Sequence, residues 1–349
     1  MPNLNINQIL QHELQIARLA TGQINSVVVP SLESTYAEIR RLISESGMPR
    51  TRGELRKLES AIRQAIQDNA GWATFTATAN EFAAYEASVY QGIIDTLTGQ
   101  QVSPIAEGKL QRYVTSSLMT LESGQRVQTG TWSEFVRANV DSRTREINNV
   151  VRTAYSRGWG TRQLGRELRT RFDGVLRRES ETLARTGYSH YSNAAREAMG
   201  EQYSIAMEWV LIVTFDSRTS DTCRFYAANP EQRWDKNDPD KPVPPLHFGC
   251  RTSGLLIPKG TDLTGTRASV GMTADGERDP KQIRANTSYE SFLRRQPVAF
   301  QNEVLGEQRA RLFRQGDMEL KSFYDMTGRQ LTLDELRQRD PDIWRGVFG

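Results

Sequence analysis

Apolar residues recur at helical spacing through most of the first two hundred residues, and the pattern stops at Ala206. Ile6, Ile9, Leu10, Leu14, Ile16 and Leu19 form the first such row. Val29, Leu32, Ile39, Leu42 and Ile43 form a second over 26–46, broken by Gly47-Met48-Pro49. This period commits the first half of the chain to helices that each bury one face. Thr51 stands three residues before Glu54, a capping-box pattern that opens a helix running to Gln67. Further helices are predicted over 77–97, 132–157 and 176–203, with a short one capped by Thr161 and ended at Gly174. A segment starting at Pro104 runs to Leu121, and Ser123-Gly124 with Thr129-Gly130 reads as a loop.

Beyond Ala206 the chemistry changes. Residues 207–214 are apolar and β-branched and read as a buried strand. Ser253–Pro258 reads as a second strand, able to pair antiparallel with the first and frame the loop between them. Residues 259–287 read as an extended arm or loop. Short helices are predicted over 289–293, 298–305, 308–313 and 332–337. The expected fold is mainly α with a small antiparallel β unit (α+β). Three segments follow: a helical N-terminal domain (1–125), a motif domain (126–260), and an arm with a short helical C-terminal tail (261–349). There is no internal repeat and no heptad long enough for a coiled coil.

The basic residues are almost all arginine: 45 Lys and Arg stand against 42 acids, and only seven are lysine. Residues 142–200 hold twelve arginines and six acids. Guanidinium forks bind phosphate and carboxylate in pairs of hydrogen bonds, so this segment suits nucleic acid or an acidic partner face. Arg169, Arg171, Arg177 and Arg178 are the candidate contacts. The alternative is a solvated helical face with pairs such as Arg166, Glu167 and Arg169. No run of about 18 apolar residues exists, so no membrane is expected as a partner. Met1-Pro2-Asn3-Leu4-Asn5 does not resemble a secretory signal, and two cysteines cannot build a disulfide scaffold. Synthesis in a cytoplasm is the expectation.

Both cysteines and one of the three histidines fall within 214–251. Cys223, His247 and Cys250 form a possible three-ligand metal set, with zinc the candidate ion. The fourth ligand would come from Asp216, Asp221, water or another chain. Two other readings stand beside it: a Cys223–Cys250 disulfide, or plain packing of two thiols and a hydrogen-bonded imidazole. Asp216 follows a strand directly. It can accept from the next backbone amides, cap a helix over 218–227, and pair with Arg251. His12 and His190 lie in ordinary helical patterns, His190 as a surface or interface residue. Trp132, Trp159, Trp209 and Trp234 fit core and interface anchoring. No G-x-S-x-G, H-E-x-x-H or phosphate-binding glycine loop is present, so no catalytic residue is assigned and the chain is not expected to be an enzyme.

The run Asp216-x-Arg218-Thr219, then Cys223, then Pro244-Pro245-x-His247-x-x-Cys250-Arg251 resembles the signature of the phage Mu F-like minor head protein family. Asp216, Arg218, Thr219, His247 and Arg251 are its motif core here. Gly160, Leu164 and Leu168 resemble the family's short helix, and Glu181, Arg185, Thr186 and Asn193 its longer one. Many members carry further cysteines where this chain has Ser220 and Thr252. The resemblance implies a structural protein of phage head morphogenesis that associates with the portal protein and the capsid interior. The implied partners are the portal, a major capsid or scaffolding protein, and double-stranded DNA, whose packaging or ejection some such proteins influence. The implied location is the virion, at the capsid interior or portal vertex, after assembly in the host cytoplasm. Two alternatives are a zinc-dependent nucleic-acid-processing enzyme and an effector delivered with the genome. Some members carry a C-terminal toxin domain, but the tail here is short and plainly helical.

Overall fold

The computed structural model describes residues 2–69, 71–123, 126–228 and 233–349. Strand β1 (Asn3–Asn5) leads into α1 (Ile6–Gln23), whose first turn is capped by the Asn5 side chain. A π-helical turn, Ile24–Val28, joins α1 to α2 (Val29–Ser46) without a break. Pro30 has no N–H to give to the turn before it, and there the helix widens instead of ending. The box at Thr51 and Glu54 closes in both directions and starts α3 (Arg52–Gln67), as the sequence predicts. Helix α4 (Gly71–Thr98) begins six residues before the predicted start.

The segment from Pro104 is a correction. It holds only a short α5 (Glu107–Ser116), followed by a hairpin of β2 (Met119–Ser123) and β3 (Arg126–Gly130). Thr129 and Gly130, expected in a loop, lie in β3, and Gly124 falls outside the described residues. Helix α6 (Trp132–Arg157) stops at Gly158, whose φ of 63° is the left-handed conformation that glycine adopts without a Cβ clash. Helix α7 (Thr161–Arg171) does not end at Gly174. A second π-helical turn, Phe172–Leu176, carries it into α8 (Arg177–Gly200).

Strand β4 (Met207–Ile212) is the centre of a three-stranded antiparallel sheet. After α9 (Asp221–Ala227), β5 (Arg233–Asp235) pairs on one side of it. On the other side β6 (Ser253–Pro258) pairs in the expected antiparallel sense, Met207 opposite Pro258 and Ile212 opposite Ser253. The segment read as an arm is structured. Strand β7 (Asp262–Thr264) pairs parallel with β1, and β8 (Thr266–Met272) forms a hairpin with β9 (Arg278–Arg284). The rest is helical: α10 (Tyr289–Arg294), α11 (Val298–Leu305), α12 (Glu307–Gln315), α13 (Leu333–Arg339) and α14 (Pro341–Phe348). The chain is therefore mainly α with small β units.

Three apolar cores organise these elements. The first joins α1, α4, α5 and α8 to β4 and β6, around Phe75, Tyr90, Tyr191 and Trp209. The second joins Val213, Phe215, Cys223 and Cys250 to the C-terminal helices through Phe292, Phe300 and Phe313. The third packs α2 and α3 on α6 and α7. The signature loop thus lies where the first two cores meet. Trp132 and Trp209 are buried anchors, while Trp159 and Trp234 are half-buried.

Candidate metal centre

Strand β4 ends at Ile212, and the chain turns back over its end. Asp216 makes that turn. Its Oδ1 accepts from Arg218 N at 2.9 Å, the Asx geometry expected of an aspartate at this position. The Thr219 hydroxyl donates to the Thr214 carbonyl at 2.6 Å and accepts from Asp216 N at 3.2 Å. The cap of the next helix is a correction: α9 starts at Asp221, and Ser220, not Asp216, accepts from Cys223 N. Asp216 is committed elsewhere. Arg251 grips it with both fork nitrogens, at 2.6 and 2.8 Å, and so ties the exit of β4 to the entry of β6. Burial opposes ionisation of Asp216, but Arg251 outweighs it and holds the carboxyl below its usual range. Arg218 points out to solvent, 3.8 Å from the same carboxylate.

The second half of the loop approaches from the other side. The Leu246 carbonyl accepts from Glu122 N at 2.9 Å, which pins the loop to the β2–β3 hairpin. Gly249 N donates to the Thr186 hydroxyl at 2.9 Å, and Gly254 N to Asn193 Oδ1 at 2.6 Å, so two α8 side chains fix its backbone. Gly249, at φ 70°, lets the turn from His247 close, and Cys250 N reaches the His247 carbonyl at 3.1 Å.

These supports bring Cys223, His247 and Cys250 together, with their ligand atoms all within 4.8 Å of one another. The two sulfurs are 3.8 Å apart, and Cys223 Sγ is 3.4 Å from His247 Nε2. Tetrahedral zinc with Zn–S of about 2.3 Å and Zn–N of about 2.0 Å sets its ligand atoms about 3.8 Å (S to S) and about 3.5 Å (S to N) apart. The spacing fits. The imidazole is also oriented for it, because Nδ1 faces the Phe248 carbonyl at 3.0 Å and leaves Nε2 toward the sulfurs. Both cysteines are free thiols, and 3.8 Å is well beyond the bonded S–S distance of about 2.05 Å.

The Cys223 thiol donates toward Cys250 and, with His247, pushes the Cys250 thiol well down. Cys223 itself is pushed up by Cys250 and by burial. Burial opposes protonation of His247, but Cys250 outweighs it and raises the imidazole. The cluster therefore already favours one thiolate, the form a metal takes.

No fourth side-chain ligand joins the three among the described residues. Asp216 is held by Arg251. Asp221, the other expected carboxylate, pairs with Arg224 at 3.2 Å and accepts from Gln330 at 3.1 Å. The Thr252 hydroxyl stands 3.1 Å from Cys223 Sγ, and Ser220 lies against the same residue. Both positions where the resemblance implies further cysteines therefore face Cys223. One side of the group opens to a cleft of about 430 Å³ walled by Arg218, Thr219, Phe248 and Arg251.

All five motif-core residues thus meet at one place. The four candidate contact arginines do not; they lie on α7 and the start of α8. Arg169 binds Glu33 at 2.6 Å and Asp173 at 2.7 Å, Arg171 binds Glu146 at 3.2 Å, and Arg177 binds Glu181 at 3.0 Å. Arg178 donates to the Gly174 carbonyl at 3.2 Å and is exposed.

Helical spacing alone gave no sign of a buried polar cluster on α1, α4 and α8. Glu86 accepts from His12 Nε2 at 2.5 Å and from Arg196 Nε at 2.6 Å, and Arg196 also holds Glu13 at 2.5 Å. His190 is another correction. It is buried, with Nε2 3.1 Å from the Val114 carbonyl, and burial lowers its pKa to about 4.

No helix among the described residues is long and apolar enough to cross a membrane. No curated protein and no solved structure matches the chain. The α6–α8 helices, β4, the signature loop and the start of β6 are one continuous stretch, and over it, at residues 145–255, the chain matches the family described as Phage Mu protein F like protein.

Proposed function

We propose that the chain is a minor head protein of a tailed phage that associates with the portal and the capsid interior during head assembly. The observation that carries this reading is the family match over the block whose loop is built from the motif residues. Its partners are the portal protein and a major capsid or scaffolding protein, and its location is the virion. In this reading the division at 125 and 260 is one of function: 1–125 meets a neighbouring subunit, 126–260 is the rigid block, and 261–349 covers it. Arg178 and its neighbours Arg169, Arg171 and Arg177 form the face offered to packaged double-stranded DNA or an acidic partner. Three of the four already hold carboxylates, so contact exchanges ion pairs and weakens steeply with salt.

Zinc is the proposed ion of the Cys223, His247 and Cys250 group, supported by the ligand spacing and the oriented imidazole. When bound, it would lock the loop to α9 and β6. The cleft on its open side favours one second reading, a zinc-dependent nucleic-acid-processing enzyme. That reading needs a free base beside the metal, and Asp216, the nearest carboxylate of the motif, is taken by Arg251.

The reading is tested by deleting the coding sequence from a phage that carries it. Heads are expected to form, with infectivity or genome retention reduced at least ten-fold and restored by the chain supplied from a plasmid. Undiminished infectivity would contradict a role in the head.

A further inference from the structure

Arg267, on β8, is a buried cation without an anion. It is 6% exposed, and its Nε and Nη2 are sealed from solvent without a hydrogen-bond partner among the described residues. Its guanidinium lies 4.5 Å from the centre of the Phe215 ring. Burial alone lowers its pKa, to about 10, so it remains charged at neutral pH. An aromatic face offsets only part of the cost of burying a charge, and the remainder calls for an anion or ordered water.

Arg267 lines a cleft of about 390 Å³ between α1, α8 and the ends of β4 and β6. The walls are largely apolar, from Leu10, Leu14 and Ala17 of α1 and from Tyr188 of α8. Leu14 is 60% exposed at this edge. The rim adds another cation, Arg185, whose Nη1 meets only the Thr21 hydroxyl, at 3.4 Å. The carboxylate in the lining, Glu13, is already bound to Arg196 at 2.5 Å. An apolar cleft with a positive floor and rim complements an apolar group that carries one negative charge. The hydroxyls of Ser189 and Thr214 on the same wall suit peptide amides, which an acyl chain lacks.

We propose that this cleft receives the C-terminal residue of a partner protein, its apolar side chain against α1 and its carboxylate on Arg267. The inference does not depend on the metal or on the head-protein reading.

The test is calorimetric titration of the full-length chain with acetyl-Gly-Leu-Leu ending in a free carboxylate, with the same peptide ending in an amide, and with nonanoate. The free acid is expected to bind at least ten-fold tighter than the amide and tighter than nonanoate. That preference should vanish in Arg267→Met, and Arg267→Lys, which keeps the charge without the fork, should retain part of it. Removing an unpaired buried charge should not lower the melting temperature of Arg267→Met. Equal binding of acid and amide would overturn the proposal and leave water as the partner of Arg267. So would an acid preference that survives Arg267→Met. Nonanoate binding without peptide binding would overturn the assignment to a protein partner. The acid–amide comparison on the unsubstituted chain decides the matter even if a variant fails to fold.

Discussion

Asp216 carries two tasks at once: it shapes the turn after β4 and it receives both nitrogens of Arg251. Removing Arg251 leaves a nearly buried carboxylate with only the distant, exposed Arg218. Because Arg251 is itself partly exposed, water compensates some of the loss. Arg251→Ala should cost about 1–3 kcal/mol, measured by urea unfolding at pH 7. The carboxyl is held below its unfolded value, so the pair stabilises above about pH 4 and the gain disappears as pH falls through the folded pKa. The variant should lack that acid-side dependence; an equally steep loss would argue against the pair. At the neighbouring cluster, Cys250→Ser should abolish stoichiometric zinc uptake, and a chelator should lower the melting temperature of the zinc-loaded chain but not of the variant. The sequence exposed these residues because Cys and His are rare in it and gather in one loop. Spacing alone could not separate metal, disulfide and packing, since that choice depends on a sulfur separation of 3.8 Å set by distant supports.

Helix α1 is held to α4 and α8 by the chain His12–Glu86–Arg196–Glu13 as well as by its apolar face. The hydrogen bond to Glu86 raises the pKa of His12 against the effect of burial. Its contribution is full below about pH 6.5 and is lost as pH rises through the raised folded value. Burial opposes ionisation of Glu86, but Arg196 and then His12 outweigh it, so its contribution is lost on the acid side instead. Unfolding measured from pH 6 to pH 9 should therefore show a fall in stability that His12→Asn removes; an unchanged slope would mean that His12 does not clamp α1. Long helices were legible because period and caps agree, as at Thr51 and Glu54. Both π-helical turns were not, since the sequence shows a proline or glycine and the helix carries on through it. The β2–β3 and β8–β9 hairpins were missed because their strands are short and largely polar. Val127 is exposed, and β9 buries no residue.

Across the whole molecule, the signature loop is a joint. Cys223 and Cys250 belong to the core shared with the C-terminal helices, while Gly254 and the β4–β6 pair belong to the core shared with α1, α4 and α8. Tyr289 reaches back to the Asp216 carbonyl at 2.7 Å, and Arg224 of α9 donates to the Val304 carbonyl at 2.5 Å. The three-part division read along the sequence could not anticipate these contacts, because nothing local in 261–349 names its partner. The family signature was legible at this scale, since it lies in one continuous stretch. A chain built around such a joint suits a structural role in which several neighbours are held at once. The measurement that tests that role most directly is quantitative peptide mass spectrometry of purified genome-filled particles, with portal peptides as the internal standard. A stoichiometry at or below the portal count is expected. Absence of the chain from filled particles would contradict the account.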